Sequence, residues 1–67
     1  MNNVLVKYSN NTTYSQNVIS EEVAKKYAEA VVSVFKHDGK LDTIESITMT
    51  NQDAYMKILY QKEQNNA

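Results

Sequence analysis

The 67 residues bound one small domain, with seven basic and eight acidic residues in near balance at a net charge of -1. No cysteine is present, which excludes disulfides and cysteine-held zinc, and a single glycine excludes Gly-rich phosphate loops and dinucleotide fingerprints. Every basic residue is lysine, so the planar arginine fork that grips phosphate and guanine in two places is missing, and the charge balance lacks the basic excess of a dedicated nucleic-acid binder.

Taken in order, Asn3 to Tyr8 alternates, with Val4, Val6 and Tyr8 on one side and Leu5 and Lys7 on the other, and reads as a strand. Ser9-Asn10-Asn11 reads as a turn, since Asn tolerates left-handed backbone. Thr12 to Val18 is β-branched and aromatic at intervals but mostly polar, as in an edge strand returning from a hairpin. Ile19 is placed to pack back on Val23 or Ala24 as a hydrophobic staple.

Ser20 to Gly39 is the clearest element. At about 100° per residue, Val23, Tyr27, Ala30, Val31, Val34 and Phe35 fall on one face with Ala24 and Ala28 at its edge, while Val32 points away. Ser20 suits the N-cap, Glu21 and Glu22 the positive end of the helix dipole, and Lys36 and His37 the negative end. Gly39 stands where a helix leaves through left-handed backbone. Thr43 to Asn51 then reads as a strand with Ile47 and Met49 on one face and Ile44, Ser46, Thr48 and Thr50 on the other. Ala54 to Gln61 reads as a further strand in preference to a short helix, with Ala54, Met56, Ile58 and Tyr60 opposed to Tyr55, Lys57 and Leu59.

The expectation is an α+β fold of order β-β-α-β-β. It has one antiparallel-rich four-stranded sheet, with a single amphipathic helix over about 20–38 on one face. Residues 1–62 form the domain and 63–67 a polar tail that frays. The first and last strands are the most apolar and are expected at the centre, with 12–18 and 43–51 at the edges.

No motif brings chemistry with it. Aligning Gly39 with the glycine of a calcium loop puts Asp38, Asp42 and Glu45 at ligand positions, but Val34 and Lys36 occupy two others. His37 is the only histidine, and a dipole-favoured place at a helix C-terminus explains it without a catalytic partner. No catalytic residue, metal ligand or cofactor is therefore assigned, and the chain is expected not to be an enzyme.

What remains is the sheet face that the helix does not cover, expected to carry Leu5, Tyr14, Ile44, Tyr55, Lys57 and Leu59. Tyrosine is enriched at binding surfaces. The leading expectation is a small interaction protein, binding itself as a homodimer or a larger protein through that face. A homo-oligomer holding a small molecule, with the tyrosines, Asn51 and Gln52 as contacts, is an alternative. Single-stranded nucleic-acid binding through Tyr14, Tyr55, Lys7 and Lys57 is another. No apolar run is long enough to cross a bilayer and no secretory leader is seen, so a cytoplasmic location is expected. The Asn-rich, Arg-free composition suggests AT-rich coding, as in a low-GC bacterium, its phage or a mobile element, and an inhibitor or modulator encoded by a phage or mobile element is the expected role.

Overall fold

Val4 and Val6 project from the same side of the first strand, and the sheet is built around them. In the computed structural model, which describes residues 2–62, β1 (Asn2–Tyr8) and β2 (Thr13–Val18) form a hairpin. Helix α1 (Glu21–His37) follows, then a 3-10 turn at Leu41–Thr43 and a second hairpin of β3 (Ile44–Thr50) and β4 (Met56–Gln61). The expected tail, 63–67, lies outside the described residues. All neighbouring strands are antiparallel, in the order β2-β1-β3-β4. This is the expected α+β fold with one helix on a four-stranded sheet, but the edges differ: β3 is central and β4 is an edge. The reason lies in burial. Ile44, Ile47 and Met49 of β3 are all fully buried, whereas β4 buries none of its residues completely.

Two bulges decide which side chains reach the core. Lys7 pairs with Ser46 but Tyr8 pairs with Ile44, so Glu45 is an extra residue in β3. Ile44 is thereby turned onto the face of Ile47 and Met49, and the expectation that it lay on the open face is overturned. Likewise Thr48 pairs with Ile58 but Ile47 pairs with Tyr60, leaving Leu59 extra in β4. Lys57, opposite buried Met49, therefore faces the helix; Leu59 and Tyr60 both pack against the core, and Met56 and Ile58 take the open face. The expected facing of Met56, Lys57, Ile58 and Leu59 was inverted, because strict alternation does not survive an inserted residue.

The helix ends follow the sequence closely. The Ser20 hydroxyl accepts from the Val23 amide at 3.2 Å. At the other end Gly39 takes φ 71°, its amide donates to the Lys36 carbonyl and the Lys40 amide to the Phe35 carbonyl, which together make a Schellman exit. The covering face is rotated from the expected one. Ala24 and Ala28 form its buried centre, Tyr27, Val31, Val32 and Phe35 flank them, and Val23 and Val34 are exposed. Small side chains on the midline let the helix backbone approach the sheet, and that sets the rotation. Val32, expected to point away, packs against the core, and Ile19 is 85% exposed instead of stapling the helix, its place beneath the helix being filled by Val18.

The bulge at Glu45 predicts a sharp contrast between two isoleucines. In urea unfolding followed by far-UV circular dichroism, Ile44→Ala should cost about 2–5 kcal/mol and Ile58→Ala under about 1 kcal/mol. Equal losses would mean that Ile44 does not face the core.

Candidate interaction surfaces

Pairing across the strands defines the open face row by row. Leu5 lies between Ser15 and Thr48, and Ile58 follows beyond Thr48; Asn3 lies between Asn17 and Thr50, with Met56 beyond. The Asn3 side-chain amide donates to the Asn17 side-chain oxygen at 3.0 Å, which ties the two strands on this side. Lys7, between Thr13 and Ser46, is the only charged residue in these paired rows. Hydroxyls and amides make up most of the face, and Leu5, Met56 and Ile58 form an apolar patch towards β4, with the last two 63% and 58% exposed.

Of the residues expected on this face, only Leu5 is found squarely there. Ile44 is in the core. Tyr14 pairs with Val6 and so lies on the helix side, where its hydroxyl donates to the Gln16 side-chain oxygen at 3.0 Å. Tyr55 is exposed but sits in the β3–β4 turn, its amide donating to the Asn51 side-chain oxygen, which also accepts from the Asp53 amide. That oxygen holds the loop, so the expected role of Asn51 as a ligand contact competes with its structural one. Lys57 and Leu59 lie on the helix side. Met56 and Ile58 were missed, although the apolar run Ile58-Leu59-Tyr60 breaks alternation and is the signal of a bulge.

On the helix side the sheet is covered unevenly. Towards β2, Tyr8, Tyr14 and Tyr27 come together, and the Tyr8 and Phe35 rings lie 6.2 Å apart. Burial, the neighbouring phenols of Tyr14 and Tyr8, and a hydrogen bond with Tyr14 push the Tyr27 hydroxyl above its ordinary value of 10.0. Towards β4, a groove of about 630 Å³ opens between helix and strand, with Ala28, Val32 and Leu59 among its lining residues and Lys25, Lys36 and Lys57 along it. Glu21 holds both Lys25 and Lys57 at 3.6 Å. A smaller hollow of about 440 Å³ lies at Tyr8, Ser9, Asn10, Thr12 and Thr43.

The residues of the calcium-like alignment do not form a loop, since Val34 and Lys36 are inside α1 and Asp42 is in the 3-10 turn. Among the described residues no three His, Asp or Glu side chains converge as a metal site would require, and no helix is long and apolar enough to cross a membrane.

No protein family, curated protein or solved structure matches this chain.

The tyrosine cluster makes an alkaline prediction. A phenol whose proton is held more tightly in the fold than in the unfolded chain contributes stability that is complete below about pH 10 and lost as pH rises through its folded value. The melting temperature should therefore be level near neutrality and fall above about pH 10. In Tyr27→Phe the fall should be shallower, as read by thermal melts across pH 7 to about 11. Identical alkaline profiles for the two chains would remove Tyr27 as the cause.

Proposed function

We propose that the chain is a small non-catalytic interaction domain that binds a second copy of itself, or a larger protein, through its open sheet face. The observation that carries this reading is the charge depletion of the paired rows on that face. The chain has fifteen Lys, Asp and Glu residues, yet the paired rows of the open face carry Lys7 alone. Depletion of charge, with exposed apolar residues beside hydroxyls and amides, is the compositional mark of protein interfaces. A domain this small also gains most from burying a further surface, because its own core is limited. The binding patch is centred on Leu5, Met56 and Ile58, with Thr48 and Thr50 between them and Tyr55 at the margin.

The nucleic-acid alternative loses support, because Tyr14 is turned to the helix side and a single lysine gives little attraction for phosphate. A reducing cytoplasm suits a chain with no cysteine, and a modulator from a phage or mobile element suits its size and coding bias.

Sedimentation equilibrium tests the reading. The wild-type chain should approach twice its 7.7 kDa mass as concentration rises, or form a complex of defined mass with a partner, and Ile58→Asp should return it to 7.7 kDa with its circular dichroism unchanged. A folded Ile58→Asp chain that keeps the wild-type mass and every wild-type complex would overturn it.

A further inference from the structure

We infer that the outer edge of β4 and the groove beside it form a docking site for one extended acidic segment of a partner protein, added as a fifth strand. The inference rests on the reading of this chain as a protein-binding domain, and it names the partner's conformation and charge. Among the described residues no strand lies beyond β4, so one row of its backbone amides and carbonyls has no strand partner. An edge alone is common; the groove makes this one specific. A strand laid against β4 would alternate its side chains between the open face, beside Met56 and Ile58, and the groove under α1. There the inward side chains meet Ala28, Val32 and Leu59. At the opposite edge, β2, the Tyr14 and Tyr27 side chains meet between strand and helix, whereas the groove described above lies along β4.

Charge selects the occupant. Lys25, Lys36 and Lys57 line the groove with one carboxylate, Glu29. Glu21, just outside, is shared by Lys25 and Lys57. Three cations against these two anions leave a net positive groove, and among the described residues Lys36 makes no ion pair. A second copy offering its own β4 would bring another Lys57 into the same space, which disfavours self-pairing at this edge. An acidic strand meets no such penalty. The spacing also fits. Lys25 and Lys36 stand about 16 Å apart along the helix at 1.5 Å per residue. Carboxylates four residues apart on a strand stand about 13 Å apart, within the reach of lysine stems.

The test is a titration of ¹⁵N-labelled protein with the hexapeptide acetyl-Glu-Thr-Leu-Thr-Glu-Thr-amide. Its two glutamates and leucine share one face, so either strand direction presents a carboxylate to Lys36. Saturable amide shifts are expected at Met56–Gln61 and at Ala28 and Val32, with binding about two- to five-fold weaker in Lys36→Gln. The counterpart with lysine in place of both glutamates should not bind. Absence of saturable shifts up to about 1 mM, equal binding of the two peptides, or shifts confined to β2 or the open face would overturn the inference. Lys36 lies on the helix, away from the open face, so a Lys36→Gln chain with unchanged solution mass and unchanged peptide binding sinks this inference and leaves the open-face reading standing.

Discussion

One helix cannot cover four strands. An α-helix with its side chains is about 10–12 Å across, and the outer strands of this sheet stand about 14 Å apart between their axes. Here the coverage is decided by Ala24 and Ala28, whose small side chains seat the helix over the rows of Val4, Val6, Ile47 and Met49. The tyrosines fill the β2 side of that contact, and the shortfall falls at β4. The groove, the inward lysine and the exposed apolar patch near β4 all follow from this mismatch of widths.

Lys57 shows how the domain tolerates the shortfall. A lysine facing a core would be costly at a central strand, but at the edge its stem lies along the groove while its ammonium reaches Glu21 at 3.6 Å. The pair is partly exposed and contributes little stability. Its effect is on specificity, since an inward charge on an edge strand discourages indiscriminate pairing. The bulge at Leu59 acts in the same sense and also places Leu59 and Tyr60 where β4 holds to the core.

Much of this fold was legible in the residues. The helix with its cap at Ser20 and its exit at Gly39, both hairpins, and the core-facing side of β1 follow from local rules of period and capping that act within a few residues. The open-face residues were less legible, because they depend on register. In the two bulged strands, a reading by alternation assigned Ile44, Lys57 and Leu59 to the wrong side and overlooked Met56 and Ile58. The cue was present in the odd spacing of Ile44 and Ile47 and in three consecutive apolar residues at 58–60. Tyr14 was misplaced for another reason: in a strand so polar, composition does not say which side faces in, and only pairing with Val6 decides it. Strand order lies beyond local patterns, being set by which strand brings three fully buried side chains to the centre.

The connectivity has a kinetic consequence. β2 folds back on β1 and β4 on β3 through short turns, held by Asn10 and Asn51 side chains. The pairing that unites the halves, β1 with β3, joins residues separated by the whole of β2 and α1. Each hairpin closes a short loop, but the central ladder closes a long one, and its entropy must be met before Val4 and Val6 can pack on Ile47 and Met49. On loop-closure grounds the meeting of the two hairpins is the step this topology makes slowest to reach, with the helix as the tether that limits how far apart they drift.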